Sequence, residues 1–292
     1  MGKMQIFKLL RKVKIITALF CGVTILMIFS GLISCQKVIS IDLNSASPQL
    51  VVEGNLSDLP GPYFVRLSKT VNFNEITQIP AVTGADVVIS DSTAGTHETL
   101  VELKDGVYMT SALQGIPGHK YKLKIEIEGQ TYEADSEMPY STGPFKLVIK
   151  SEADNESSSG GGNGDKTVRY RVYYEISDPA EYINYYRFVI SHQNREISSR
   201  RVFSDQYHNG KIIADDFILR DTIDFNPGDT IGITLENIDR NTYNFFRTLR
   251  EGAGGLSFLS ASPSNPISNI TNNGLGYFSA NTLIREYVII PR

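Results

Sequence analysis

The sequence predicts a mainly β protein: an N-terminal β-sandwich followed by a second β-rich region with one covering helix. Three observations predict it. Short apolar, β-branched runs recur between turn residues about every 8–12 positions, the spacing of sandwich strands. Two segments, Tyr121–Glu128 and Val168–Ile176, alternate apolar and polar residues strictly, so each has one buried and one solvated face. In the body of the chain only Ile238–Arg250 repeats its large apolar residues at helical spacing.

The chain has 292 residues, 41% hydrophobic and 21% charged, which excludes wholesale disorder and suits one large or two medium domains. There are 28 Lys and Arg against 32 Asp and Glu, a net charge of −4. A nucleic-acid partner is disfavoured, because phosphate binding needs a concentrated basic face. Five of the bases, Lys3, Lys8, Arg11, Lys12 and Lys14, stand in residues 1–34 with no acid. The remainder is therefore more acidic than the whole.

Residues 1–34 read as a signal segment: a basic stretch to Lys14, then an apolar run from Ile15 to Ile33. The run is also long enough for an uncleaved spanning helix. Leu32-Ile33-Ser34-Cys35 favours cleavage, since it resembles the bacterial lipobox. There, a branched apolar residue and a small residue precede a cysteine whose thiol carries diacylglycerol. Cys21 follows Leu19-Phe20 without a small residue before it, and reads as apolar filler. These two are the only cysteines, so the body beyond Cys35 has no disulfide, cysteine nucleophile or Cys-ligated zinc. Gln36 after the cysteine resembles lipoproteins forwarded to an outer membrane. Gln36-Lys37 resembles the start of a surface-export signal, but Val38-Ile39 replace its acidic residues.

Residues 35–48 form a tether, and 49–140 the sandwich. Its strands are expected at Leu50–Glu53, Tyr63–Leu67, Ala85–Ser90, Glu98–Leu103, Val107–Thr110, Tyr121–Glu128 and Thr131–Ala134. Asp105-Gly106 is a hairpin signal because glycine accepts positive φ. Residues 141–292 form the second β-rich region. Its polar segment 151–166 (SEADNESSSGGGNGDK) is either an inter-domain linker or a long hairpin loop between Phe145–Lys150 and Val168–Ile176. Further strands are expected at Tyr185–Ser191, Arg195–Phe203, Lys211–Leu219 and Thr230–Leu235. The helix follows, with Tyr243, Phe246 and Leu249 on its covering face and Gly252 to end it. Ser257–Asn281 reads as a long irregular loop, and Thr282–Ile290 as the last strand.

The candidate chemistry is sparse. His97, His119, His192 and His208 read as solvated loop residues, and no zincin pattern surrounds them. Gly255-Leu256-Ser257-Phe258-Leu259 lacks the second glycine of a nucleophile elbow. Asp215, Asp216, Asp221, Asp224 and Asp229 could offer calcium several carboxylates, but charged strand ends account for them equally. Tyr173-Tyr174, Tyr185-Tyr186 and Phe245-Phe246 are expected to put one ring in the core and the other outside. Asp91-Ser92-Thr93, Asp221-Thr222-Ile223 and Asp229-Thr230-Ile231 resemble a short O-glycosylation sequence. No catalytic residue, metal ligand or cofactor is assigned.

Several segments together resemble the family called domain of unknown function 4249. They are Leu50–Asp58 (LVVEGNLSD), Gly61–Ser68, Val82–Ile89, Asp105–Tyr108 and Pro117–Leu123. Near the C-terminus, Asn265-Pro266-Ile267, Asn269-Ile270 and Gly274-Leu275-Gly276-Tyr277-Phe278 resemble its closing motif. The resemblance implies a Bacteroidota outer-membrane lipoprotein with an N-terminal immunoglobulin-like or transthyretin-like sandwich. It further implies proximity to a TonB-dependent receptor. It carries no catalytic residues, so the expectation is a non-enzymatic accessory or ligand-binding protein held to the membrane by lipidated Cys35. A surface hydrolase of peptide or glycan and a structural adhesin or secretion component are the alternatives.

Overall fold

The computed structural model describes residues 47–71, 79–153, 168–193, 195–219, 225–253 and 265–291. All belong to one compact unit, Ala46–Arg292. The chain is mainly β, with fifteen strands and one helix among these residues. In order they are β1 (Leu50–Ser57), β2 (Phe64–Lys69), β3 (Asp86–Asp91), β4 (Thr96–Thr99), β5 (Val101–Lys104), β6 (Val107–Met109), β7 (Lys120–Ile127) and β8 (Gln130–Glu137). There follow β9 (Phe145–Ala153), β10 (Val168–Ser177), β11 (Tyr185–His192), β12 (Arg195–Ser204), β13 (Ile212–Leu219), β14 (Thr230–Ile238), α1 (Arg240–Ala253) and β15 (Leu275–Ile289).

An eight-stranded sheet has the order β12-β11-β14-β15-β1-β2-β6-β5. A four-stranded sheet, β4-β3-β7-β8, and a three-stranded sheet, β13-β10-β9, complete the fold. The first hydrophobic core joins Val52, Leu56 and Leu67 of the large sheet to Val87, Ile89, Leu123 and Ile125 of the four-stranded one. The second joins Phe188, Ile190, Ile233 and Leu235 of the large sheet to Val172, Tyr174, Ile176 and Phe217 of the three-stranded one. Alternation makes this possible, because β7 and β10 each bury every second residue and present the others outward. On the outer face of β7 and β8, Lys122 meets Glu133 and Asp135 at 3.5 and 3.8 Å, a solvated charge ladder.

The strand β15 serves both cores. Its first part pairs parallel with β1, Val51 opposite Leu275 through Ser57 opposite Asn281. Its second part pairs antiparallel with β14, Asn237 opposite Thr282 through Thr230 opposite Ile289. Phe278 and Ala280 of the strand accordingly lie in the first core and Val288 in the second, joined by the flanking Ile270 and Ile290 respectively. The boundary at 140/141 separates most of the two core sets, but residues 270–280 cross it.

Two further expectations change, and one open alternative is narrowed. The last strand begins at Leu275, seven residues before Thr282, because Leu275–Asn281, which follows a Ser- and Asn-rich stretch, is held in a parallel ladder with β1. The run Glu98–Leu103 is two strands in different sheets, β4 beside β3 and β5 beside β6, with Leu100 buried at the crossing. The strands flanking 151–166 pair with each other in register, Ala153 opposite Val168, so that segment joins a hairpin. The Asp105-Gly106 turn lies between β5 and β6 as expected, with Gly106 at φ +68°.

The helix α1 packs Phe245 and Phe246 against Tyr277, Ile238 and Val202 on the outer face of the large sheet. Its start is fixed by Asp239, whose Oδ1 accepts the Thr242 N–H at 2.7 Å.

Candidate functional site

The lipobox Leu32, Ile33 and Ser34 and the acceptor Cys35 lie outside the described residues, as do Asp221, Asp224 and Ser257. The other candidates can be placed.

Asp215 and Asp216 are neighbours on β13, and arginines meet both. Arg201 reaches Asp215 at 3.2 Å, and Arg171 pairs with Asp216. Among the described residues no group of three or more His, Cys, Asp or Glu comes together to hold a metal.

Two histidines depart from the solvated reading. His119 Nδ1 lies 2.7 Å from Asp91 Oδ2, with Asp91 buried at the end of β3. Burial pushes the Asp91 carboxyl up, yet the Ala94 N–H, His119 and the Thr93 N–H together hold it below its usual value. His192 Nε2 lies 3.2 Å from Asp229 Oδ2 and packs edge-on against Phe225. It lines a cleft of about 260 Å³ with Ser191, Asp229, Gly232 and Tyr287. Ser191 Oγ donates to the Gly232 carbonyl at 3.4 Å. The hydroxyl is thus turned to the backbone, and the imidazole to an aspartate. A serine nucleophile needs those two groups bonded to each other. His97 and His208 are exposed.

The aromatic pairs divide unevenly. Tyr174 is buried and Tyr173 lies outside beneath Lys150, as expected. Tyr186 is in the second core, but Tyr185 packs on Tyr243 of α1. Phe245 and Phe246 are both buried, since the helix covers the sheet with a broad face. Ser92 and Thr230, in the O-glycosylation-like triplets, are exposed.

The most unusual polar arrangement escaped the sequence reading. The loop between β10 and β11 and the loop between β12 and β13 meet at one end of the second core. Asp178 and Asn184 stand on the first and Asp205 on the second, all buried. The Asp205 Oδ2 accepts from the Asn184 backbone N–H at 3.0 Å and from its Nδ2 at 3.2 Å. Asp178 Oδ2 accepts the Gly210 N–H at 2.8 Å, and its Oδ1 accepts the Tyr186 hydroxyl. Burial, with Asp178 alongside, raises the Asp205 carboxyl above its usual range. Burial likewise raises the Tyr186 hydroxyl, and Asp178 adds to that shift. Tyr182, Ile183 and Tyr207 project from the same two loops and are exposed. An isolated Asp-Pro at 178–179 and a single Asp205 carry no motif. Only the pairing of β10, β11, β12 and β13 brings them together.

Two facing-sheet cores sharing one long strand define the chain as a mainly β protein. The chain belongs to the family described as domain of unknown function DUF4249, whose model matches residues 36–283. No curated protein matches. Among solved structures, a DUF4785 family protein of Legionella pneumophila is similar at 13% identity with a TM-score of 0.21. That match covers 65% of this chain and 51% of the other, so the chain spans about half the length of its neighbour.

Among the described residues no helix is long and apolar enough to cross a membrane.

Proposed function

We propose that the chain is a cell-envelope lipoprotein, held on a bacterial outer membrane by acylated Cys35. In this reading it acts without catalysis as an accessory or ligand-binding partner of a TonB-dependent transporter. The observation that carries the reading is Leu32-Ile33-Ser34-Cys35 directly after a basic then apolar leader. Acyl chains on that thiol would give durable attachment, each buried CH₂ adding about 0.8 kcal/mol. Family membership supports the same reading, as the resemblance implies a Bacteroidota envelope lipoprotein. The immunoglobulin-like description of the N-terminal sandwich belongs to this proposal too. It is supported by β1–β8 lying in two facing layers around Val52, Leu56, Leu123 and Ile125.

Labelling cells with an alkynyl fatty acid tests the attachment. The wild-type chain should be labelled and fractionate with outer membranes, whereas Cys35→Ala should retain its leader and lose the label. Equal labelling of both would overturn the lipoprotein reading. Affinity capture of the native lipoprotein in mild detergent tests the partner, and recovery without any transporter would count against that part.

A further inference from the structure

We propose that the two loops at one end of the second core hold a divalent cation, calcium by its coordination chemistry. The ligands would be the Asp178 and Asp205 carboxylates, the Asn184 side-chain carbonyl and the backbone carbonyls of Pro179 and Tyr182.

Oxygen is in excess at this point of the fold. The Asn184 Nδ2 has four oxygens around it: Tyr182 O at 3.1 Å, Asp205 Oδ2 at 3.2 Å, Pro179 O at 3.3 Å and Asp178 Oδ1 at 3.4 Å. A side-chain amide has two hydrogens, so it cannot serve all four. The other oxygen of Asp205, Oδ1, is buried and accepts no hydrogen bond from a donor among the described residues, and the residue as a whole is 0% exposed, with the Asp178 carboxylate as its neighbour. Among the described residues the donors that reach the two carboxylates are neutral: Asn184, the Tyr186 hydroxyl and the Gly210 N–H. Buried carboxylates are normally paired with a cation or bound to a metal.

The amide nitrogen stands where the cation would sit. For a cation to take that place, the Asn184 amide would have to turn so that Oδ1 faces the centre and withdraw by about one calcium–oxygen distance. Calcium binds oxygen at about 2.3–2.6 Å and accepts irregular mixtures of carboxylate, amide and backbone carbonyl. The oxygens therefore need to close in by about 1 Å. Magnesium suits the site poorly, because it demands near-octahedral geometry and keeps most of its water. Two carboxylates balance one divalent ion. The inference rests on this geometry and is independent of the lipoprotein reading.

Terbium luminescence and thermal melting of the chelator-treated full chain in detergent test it. The chain has no tryptophan, so sensitised terbium emission must come from tyrosine, and the Tyr186 hydroxyl sits on Asp178. The expected result is one terbium site per chain, displaced by calcium. Melting should rise by several degrees in about 1 mM calcium, where weak extracellular-type sites fill, with little response to magnesium. Asp205→Asn should weaken calcium binding at least about 10-fold and abolish the melting response, while Asp216→Asn should leave both unchanged. Should Asp205→Asn not fold, Asn184→Ala takes its place. A wild-type chain whose melting ignores calcium overturns the proposal. So does a chain that is stabilised by acid alone, since the carboxylates would then share a proton. A calcium response that persists in the cage variants places the ion elsewhere and equally overturns it.

Discussion

A Cβ at position 276 would lie 1.9 Å from the Val52 carbonyl oxygen, where the backbone has φ +96°. Only glycine satisfies both conditions, and it permits β15 to lie parallel beside β1. Gly276→Ala should cost upward of about 3 kcal/mol, combining left-handed strain with a backbone clash. Gly95 is the control, with φ +71° and nothing within 4 Å of its would-be Cβ. Gly95→Ala should cost only about 1 kcal/mol. Urea denaturation of both variants checks the contrast, and equal losses would refute the clash. A second residue-scale case is Arg187, which meets Glu236 at 2.9 Å and lies 3.9 Å over the Phe246 ring, beneath α1. Arg187→Met leaves the buried carboxylate without this partner and should cost about 3–5 kcal/mol, whereas replacing Glu236 by Leu as well should restore most of it. If the double variant is no more stable than Arg187→Met, the ion pair is not the source of the loss.

At the scale of elements, Asp239 connects three of them. Its Oδ1 caps α1, its Oδ2 accepts the Ser136 hydroxyl of β8, and Ser136 Oγ in turn accepts the Ala280 N–H of β15 at 2.8 Å. Burial raises the Asp239 carboxyl above its ordinary 3.8 despite these donors. The folded chain therefore binds that proton more tightly than the unfolded one. This contribution is fully present below pH 3.8 and is lost as pH rises through the folded value. Asp91 has the opposite sign, since its carboxyl is lowered and its contribution disappears as pH falls. Asp239→Asn should thus flatten the fall in stability with rising pH. Asp239→Ala should in addition lose about 1 kcal/mol of capping. Melting followed across mildly acidic pH distinguishes them, and an unchanged pH slope in Asp239→Asn would refute the assignment. Elements such as β7, β10 and α1 were legible because their periodicity is local. The division at Leu100 was not, as one apolar run supplies strands to two sheets and nothing in its own residues marks the change. Nor was the start of β15 legible. It follows directly on a Ser-, Asn- and Gly-rich stretch, and its partner β1 lies more than 200 residues away. Asn269 shows what local reading misses: its side chain exchanges two hydrogen bonds with the Phe278 backbone, at 2.8 and 3.0 Å, as a strand neighbour would. The same limit hid the Asp178–Asp205 pair, which exists only once four strands have paired.

For the whole molecule, the consequential feature is that β15 runs unbroken from one core into the other. The segments at 50–58 and 274–278 that carry the family resemblance are themselves partners, with Gly54 opposite Phe278. From Thr282, four residues after Phe278, the same strand is bonded to β14 and runs into the second core. Opening either core would strip a face from a strand that the other requires, and both cores belong to one compact unit. The body should therefore unfold in a single cooperative transition, despite two sets of buried side chains. Leu123 and Leu235 are each 0% exposed, one in each core. Leu123→Ala and Leu235→Ala should each cost about 2–5 kcal/mol. Both should move the same calorimetric peak, and amide exchange should accelerate in β10 when Leu123 is truncated and in β7 when Leu235 is. Two peaks, with each variant shifting only its own, would mean that the shared strand can part at Thr282 and that the cores are energetically separate.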